Sequence, residues 1–275
     1  METIQSLVLG VIEGLTEFLP VSSTGHMIIA QPLLGIDPED PKWRVFLFVS
    51  QMGAILAVVL YFWRDLWRRT FHPRSRSWKQ HIATKLTAAL VPTIVLGLAF
   101  DDFMEKHLEG NPTAVAGALI VGALLMLFID AVFRRRSEMN FDDITLRQAF
   151  LIGLAQCLSM WPGTSRAAAT IMGGMVLGLT PRVAAQFSFY LAIPTMVAAG
   201  GYRLWKYRND LTMDMAGMIA TGTAAAFLVA LFVVAAFMNY VQRRRFTPFA
   251  VYRILLGAAV LILTFLTDLF SRSSS

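Results

Sequence analysis

The chain has 275 residues, of which 56% are hydrophobic and only 15% are charged, and its mean hydropathy is +0.58. This balance excludes an ordinary soluble globular domain and is typical of a protein embedded in a bilayer. The formal net charge is +6, but the arginines lie between apolar segments, so we expect membrane lipid and no nucleic acid as a partner. Cys157 is the only cysteine, which excludes an intrachain disulfide and a cysteine-based metal cluster.

The first apolar stretch, residues 3–34, is divided by Pro20 into two halves that are each too short to cross a bilayer. We therefore predict a re-entrant helical hairpin. Irregular backbone at membrane depth is tolerated only where it is buried in protein or lines a wet cavity. This hairpin is for that reason a candidate functional element.

Two carboxylates, Glu13 and Glu17, are four residues apart in the first half of this hairpin, so a helix places both on one face. Burying two like charges is unfavourable unless a cation, a shared proton or a basic partner offsets the repulsion. We predict that the pair binds a divalent cation, Mg²⁺ or Ca²⁺, and that Glu17 is also catalytic. The alternative is that this helix lies at the membrane interface with both carboxylates in water.

Hydroxyl residues follow the break and predict a helix start, where free N–H groups bind anions. Ser22, Thr24 and Gly25 are candidate phosphate contacts, although most such caps serve only their own helix. Ser23 is the candidate nucleophile, and His26 is the candidate base that takes its proton. A purely structural role for His26 is the alternative.

Six further segments offer close to the ~20 apolar residues that a bilayer requires. They lie at roughly 44–62, 82–100, 113–133, 182–200, 214–238 and 248–268. The predicted fold class is an all-α polytopic membrane protein with six transmembrane helices and two re-entrant hairpins.

The second hairpin is predicted over residues 148–178, with its break at Pro162. Arg166 follows this break, and a guanidinium keeps its charge and pairs with two phosphate oxygens at once. We predict that Arg166 is catalytic and binds phosphate; a salt bridge to Glu13 or Glu17 is the structural alternative. The other phosphate contacts predicted here are Gly163, Thr164, Ser165 and Thr170.

The two halves of the chain resemble each other. The motifs Gly10-x-x-Glu13 and Pro20-x-x-Ser23 parallel Gly153-x-x-Gln156 and Pro162-x-x-Ser165. One hairpin plus three spans crosses the membrane an odd number of times, so a second copy is inverted, and substrate sites of inverted repeats lie between the copies. We predict repeat 1 at about 1–140, repeat 2 at about 141–275, and contact between the two hairpins.

Basic loops near residues 64–79, 134–147 and 243–245 fall on one side of this topology, which the positive-inside bias makes cytoplasmic. The acidic loop at 101–109 then lies outside, and the basic loop at 203–208 is an exception. These features predict a multi-pass membrane protein with both termini outside. A homodimer is left open.

The run from Glu13 to His26 reads Glu-Gly-Leu-Thr-Glu-Phe-Leu-Pro-Val-Ser-Ser-Thr-Gly-His. It strongly resembles the first signature of the bacterial undecaprenyl-diphosphatase family, also called bacitracin resistance proteins. The second break resembles that family's Pro-Gly-x-Ser-Arg-Ser-Gly-x-Thr signature, and the likeness extends over essentially the whole chain. The chain departs from it at Ala167 and Ala168, where the family usually has Ser-Gly.

The resemblance implies hydrolysis of undecaprenyl diphosphate to undecaprenyl phosphate and inorganic phosphate, which recycles the lipid carrier for cell-wall synthesis and confers bacitracin resistance. It also implies a protein of the bacterial inner membrane whose site opens to the outer face. The alternative is a flippase or transporter of the carrier, because inverted repeats with broken helices suit alternating access. The candidate nucleophile and base, Ser23 and His26, discriminate between the two, since translocation alone requires neither.

Overall fold

Ten α-helices and no strands occur in the computed structural model, which describes residues 1–73, 77–108, 111–134, 139–208 and 211–273, without the side chains of 101–102, 104–107 and 267–273. Short 3₁₀ turns link some of the helices. The helices are α1 Glu2–Thr16, α2 Ser23–Leu33, α3 Pro41–Phe71, α4 Ile82–His107, α5 Pro112–Val132, α6 Leu146–Gln156, α7 Arg166–Val176, α8 Pro181–Lys206, α9 Ala216–Arg243 and α10 Thr247–Ser273.

Six helices, α3, α4, α5, α8, α9 and α10, are long and apolar enough to cross a membrane. They match the six predicted segments to within two residues, apart from extensions of the helices, which confirms an all-α polytopic membrane protein. Helix α3 continues past the predicted end at residue 62 to Phe71. Arg68 and Arg69 occupy its last turn, where positive charge is favoured by the helix dipole.

The two stretches predicted as hairpins each form two short helices that fold back on themselves. Gln5 at the start of α1 donates a hydrogen bond to the carbonyl of Leu34, just after α2, at 2.8 Å. Gln148 at the start of α6 donates to the carbonyl of Leu177, just after α7, at 3.0 Å. Each pair of helices therefore returns to the side where it began, which is the geometry of a re-entrant hairpin.

The backbones of the two breaks match in detail. Ser22 has φ +73° and ψ +103°, Ser165 has φ +69° and ψ +115°, and no other non-glycine residue in the described ranges has positive φ. Gly35 and Gly178, with φ of +69° and +92°, follow the second helix of each hairpin. Ser22 and Ser165 are separated by the same number of residues as Gly35 and Gly178.

This match corrects our sequence alignment of the two breaks by one residue. Ser165 corresponds to Ser22, since both are N-caps, and Arg166 corresponds to Ser23 as the first residue of the following helix. The prolines that guided the alignment are not equivalent positions. The division into repeats near residue 140 stays a prediction.

The two ends of the bundle carry different charge networks. Lys42 at the start of α3 lies 2.8 Å from Glu2 and 3.7 Å from Asp214, and we call this end the N-terminal face. At the opposite face, Arg69 near the end of α3 pairs with Asp65 and Asp142. Residues 74, 76, 109, 135 and 136 and the side chains at 101, 102 and 105, which belong to the predicted charged loops, lie outside the described part.

The first hairpin packs against α9 with very close backbones. A Cβ on Gly10 would overlap the carbonyl oxygen of Gly222, and a Cβ on Gly153 in the second hairpin would overlap that of Ala89 in α4. Small residues let membrane helices approach in this way, where dispersion contacts replace the hydrophobic effect as the driving force. The glycines that mark the repeated motif are therefore packing contacts.

We expect Gly10→Ala to destabilise the protein by about 1–3 kcal/mol, because α1 and α9 must separate to admit the methyl group. The melting temperature of the purified protein in detergent measures this. Gly217→Ala on α9, where a Cβ has nothing within 4 Å, is the matched control and should melt like the wild type. Equal melting of all three proteins would contradict the close α1–α9 contact.

Candidate active site

The two breaks meet inside the bundle. Ser165 in the second break donates its hydroxyl hydrogen to the carbonyl of Leu19 in the first break at 3.5 Å. The helices that follow the breaks begin with Ser23 and Arg166, and both of these side chains reach Glu17. The predicted contact between the hairpins therefore occurs at the residues chosen as catalytic.

Glu17 lies at the centre of this junction and uses both carboxylate oxygens. Oε2 accepts a hydrogen bond from Ser23 Oγ at 2.6 Å, and Oε1 accepts one from an Arg166 guanidinium nitrogen at 3.4 Å. The side chains of Glu17 and Arg166 are only 10% and 11% exposed. The salt bridge that we gave as the structural alternative for Arg166 is thus present, and Glu17 is its partner.

Two buried atoms beside the junction have no hydrogen-bond partner among the described residues: Glu13 Oε1 and Arg166 Nε. Glu13 is buried one helical turn before Glu17, close enough for the two carboxylates to repel each other. An unsatisfied buried polar group costs about 1–3 kcal/mol and more when charged, so it is retained only for a reason, such as a bound ligand, ion or water. Gln156 Oε1 and Thr223 Oγ1 are also unpartnered among the described residues, but both are uncharged. The carboxylate oxygen of Glu13 can bind a cation, and the Nε–H group of Arg166 can donate to an anion.

The carboxylate pair fits a cation that is completed by other oxygens. Within the described ranges, no group of three or more His, Cys, Asp or Glu side chains is arranged to hold a metal. Glu13 and Glu17 would therefore supply two ligands. Mg²⁺ is commonly held by one or two carboxylates together with water and substrate phosphate oxygens, so this donor set fits a cation that binds with a phosphate.

A cavity of about 540 Å³ connects the junction with the N-terminal face. Glu13, Ser23 and Thr24 line its inner end, and Glu39 and Arg44 line its outer end. Neither Glu17 nor Arg166 lines the cavity; Glu17 contacts its wall through Ser23, and Arg166 contacts Glu17. The cavity therefore gives solvent at the N-terminal face access to the serine at the start of α2.

His26 lies beside the junction but contacts other groups than the one we predicted. Its Nδ1 is 2.7 Å from the Ser22 carbonyl oxygen and its Nε2 is 2.6 Å from the Tyr252 hydroxyl. A carbonyl only accepts, so Nδ1 carries the hydrogen and Tyr252 donates to Nε2. The predicted transfer of the Ser23 proton to His26 has no supporting contact, because Glu17 holds that hydroxyl. Sequence reasoning also missed Tyr252.

Three of the predicted phosphate contacts, Ser22, Gly25 and Ser165, take part in the hydrogen bonds that begin the two helices. Ser22 Oγ accepts a hydrogen bond from the Gly25 amide at 3.4 Å, and Ser165 Oγ accepts one from the Ala168 amide at 3.3 Å. Positive φ at a non-glycine residue costs about 1–3 kcal/mol, so these bonds and the His26 contact stabilise a strained backbone. The strain lies directly before Ser23 and Arg166.

The remaining predicted contacts have different surroundings. Thr24 is exposed and lines the cavity. Gly163 has φ +91° and packs on α5, where a Cβ would lie 2.5 Å from the Val115 carbonyl oxygen. Thr170 is buried and does not line the cavity; its hydroxyl donates to the Arg166 carbonyl at 2.8 Å and lies 2.6 Å from Ser188 Oγ.

Arg253 in α10 is the neighbour of the junction that sequence reasoning missed. It is fully buried, and its guanidinium donates to the backbone carbonyls of Pro20, Ala118, Leu119, Gly163 and Thr164. An ionisable residue inside an apolar span is rare and usually functional, and that signal could have identified it. Of the predicted phosphate contacts, Gly163 and Thr164 each contribute a carbonyl to Arg253.

The model of the family described as "Bacitracin resistance protein BacA" matches residues 6–259, a range that includes both breaks and Arg253. The chain belongs to this family. Relatives named undecaprenyl-diphosphatase support the assignment. The relative of Clostridium tetani is 41% identical, and the match covers 94% of this chain and 96% of the relative. That of Ectopseudomonas mendocina is 42% identical, over 94% of this chain and 92% of the relative. That of Novosphingobium aromaticivorans is 44% identical, over 95% of this chain and 98% of the relative.

The departure from the family signature at Ala167 and Ala168 has little effect on the cavity. Both residues are buried at the start of α7 and pack in the core. Neither alanine lines the cavity. We therefore expect Ser-Gly at these two positions to change the packing at the start of α7 more than it changes the lining of the cavity.

Proposed function

We propose that this protein hydrolyses undecaprenyl diphosphate to undecaprenyl phosphate and inorganic phosphate and so recycles the lipid carrier of cell-wall synthesis. Its family and the names of its relatives support that substrate and a role in bacitracin resistance. The observation that carries the proposal is the pair of unpartnered buried atoms, Glu13 Oε1 and Arg166 Nε, beside the Ser23 hydroxyl. A diphosphate with its divalent cation supplies a partner for each.

Ser23 is the proposed nucleophile, and its 2.6 Å hydrogen bond to Glu17 supports this role, since a serine hydroxyl attacks well only when a base accepts its proton. The oxygen of Ser23 bonds to the terminal phosphorus, the bond from that phosphorus to the bridging oxygen breaks, and the lipid monophosphate leaves. Glu17 takes the hydroxyl proton. Water then displaces the serine oxygen, which recovers that proton.

Arg166 and the carboxylate pair stabilise the charge of the phosphates. The unpartnered Nε–H of Arg166 is a donor held in a buried setting, where an oriented donor stabilises developing charge more than it would in water. Glu13 and Glu17 would hold Mg²⁺ or Ca²⁺, which neutralises charge on phosphate oxygens when bound. The proposed role of His26 is structural: its hydrogen bond to the Ser22 carbonyl stabilises the backbone at the start of α2.

The cavity is proposed to open at the outer face of the bacterial inner membrane. The described arginines 68, 69, 134 and 147 lie at the opposite face, which the positive-inside bias makes cytoplasmic. The lipid tail would then lie among the spans and membrane lipids, with the headgroup in the cavity. The site groups all come from one chain, so a homodimer is not needed to complete it.

Purified protein in detergent should release inorganic phosphate from undecaprenyl diphosphate, and a chelator should stop the release. Ser23→Ala should lower the rate at least about a thousandfold, because it removes the nucleophile. Thr221→Ala, which removes a hydroxyl bonded only within α9, is the control. A protein that only translocates the carrier would release no phosphate, and that result would favour the flippase alternative.

Glu17→Gln should lower kcat by about 10²–10⁴-fold, because the amide cannot accept the Ser23 proton. It should also shift the Mg²⁺ titration to higher concentration, since one anionic ligand is lost. Glu2→Gln, which alters an exposed carboxylate paired with Lys42, should leave both measurements unchanged. A near-wild-type rate with an unchanged titration would remove Glu17 from both roles.

The proposed orientation predicts which engineered thiols react in intact cells. In a Cys157→Ala background, a cysteine replacing exposed Asp37 should react with an impermeant reagent, because it lies at the N-terminal face. A cysteine replacing exposed Lys79 should react only after the cells are broken. The reverse pattern would place the cavity mouth in the cytoplasm.

A further inference from the structure

Arg253 is a fully buried charge that is satisfied almost entirely by backbone. Among the side chains that the structure describes, no carboxylate lies within ion-pair distance of its guanidinium. A buried arginine normally has an acidic partner, because removing an unpaired charge from water is unfavourable. Here five carbonyl oxygens take that place, so the position of the guanidinium is determined by the backbone around it.

The five carbonyls come from three separate segments. Arg253 Nη1 donates to Pro20 in the first break at 3.4 Å and to Thr164 in the second break at 2.9 Å. Nη2 donates to Gly163 in the second break at 3.2 Å. The contacts to α5 are from Nη2 to Ala118 at 3.0 Å and from Nε to Leu119 at 3.2 Å. A single nitrogen therefore bridges the two breaks, and the rest of the planar group fixes both to α5.

These hydrogen bonds set the direction of the peptide that leads into α7. In a trans peptide the N–H points opposite to the C=O, so a Thr164 carbonyl aimed at Arg253 turns the Ser165 amide away from it. The chain then passes through the positive φ of Ser165 and begins α7 at Arg166. The place of Arg166 opposite Glu17 therefore depends on where Arg253 holds the break.

We propose that Arg253 is a positioning residue that holds the two breaks in the register in which Ser23 and Arg166 both reach Glu17. It contacts neither Ser23 nor Arg166 by any hydrogen bond in the described structure and acts through the backbone. Its effect on turnover rests on the proposed hydrolysis, whereas its effect on the two breaks does not.

Helix α5 offers a way to displace the guanidinium without removing its charge. A Cβ on Gly122 would overlap Nη2 of Arg253 and lie 3.2 Å from its Cζ. Gly117 lies on the same helix, and a Cβ there has nothing within 4 Å. Alanine is favourable at both positions for the helix itself. Gly122→Ala and Gly117→Ala are therefore a matched pair that differ in whether the guanidinium must move.

In Gly122→Ala we expect faster amide hydrogen exchange, measured by mass spectrometry in detergent, in peptides covering 17–25 and 160–168 together. We also expect kcat for phosphate release to fall at least about tenfold with KM changed less than about threefold, because displaced reacting groups lose rate more than binding. Gly117→Ala should match the wild type in both measurements. Exchange and kcat in Gly122→Ala that equal those of the wild type would overturn the proposal.

A second pair of variants changes the guanidinium itself. Arg253→Lys keeps the charge but loses the planar fork that serves carbonyls on several sides, so it should loosen both breaks and lower kcat. Arg134→Lys is the control: Arg134 pairs with Asp130 and donates to the carbonyls of Val241 and Arg244 at the opposite face. It should lower the melting temperature without changing kcat or the exchange of either break.

The two measurements separate the possible failures. If the wild type releases no phosphate, the proposed function fails, and hydrogen exchange at the two breaks alone decides the role of Arg253. Faster exchange at only one break would show that Arg253 does not couple them and would overturn the proposal. A loss of kcat in Gly122→Ala that disappears when each protein is assayed equally far below its own melting temperature would reduce Arg253 to a stabilising residue.

Discussion

Backbone that leaves the helical path inside a membrane has no water to bond, and the protein must satisfy it. This constraint acts twice in the chain, at the breaks after α1 and after α6, and the site follows from how it is met. The serine caps bond amides of the following turns, His26 bonds the Ser22 carbonyl, and Arg253 bonds the carbonyls of both breaks. The two helix starts are thereby fixed close enough to share one carboxylate.

Hydropathy predicted the architecture well, because a span needs an apolar run of a certain length and a proline interrupts a helix wherever it stands. The rule that carboxylates and arginines inside apolar segments are functional also identified the residues that meet at the junction, including Glu13, Glu17 and Arg166. The partner of Ser23 was not predictable in the same way. The positive φ of Ser22 sets the directions of the side chains that follow, and a positive φ at a serine cannot be predicted from the spacing of residues in the sequence. The same rule applies to Arg253, which was overlooked, but its partners were not predictable, because they are backbone carbonyls, which every sequence contains.

The two hairpins show how one backbone design serves two different chemical tasks. Ser23 and Arg166 occupy the same position after equivalent breaks, yet one contributes a hydroxyl and the other a cation to Glu17. In the aligned motifs, Glu13 corresponds to Gln156. The Gln156 amide donates to hydroxyls of Thr93 and Thr195, which joins three helices. Each copy thus keeps one buried side-chain oxygen without a partner among the described residues, a carboxylate oxygen at Glu13 and an amide oxygen at Gln156, but only the carboxylate carries charge.

The place of Arg253 in the chain bears on how the protein is made. A ribosome delivers the segments in order, so the strained serines and both broken hairpins enter the membrane before α10 is synthesised. Until that helix docks, the carbonyls of Pro20, Gly163 and Thr164 lack the guanidinium that joins them. On the proposed role of Arg253, a nascent chain contains the proposed reacting groups without their alignment. That role then implies that activity is acquired only when the last helix docks, at the end of biogenesis.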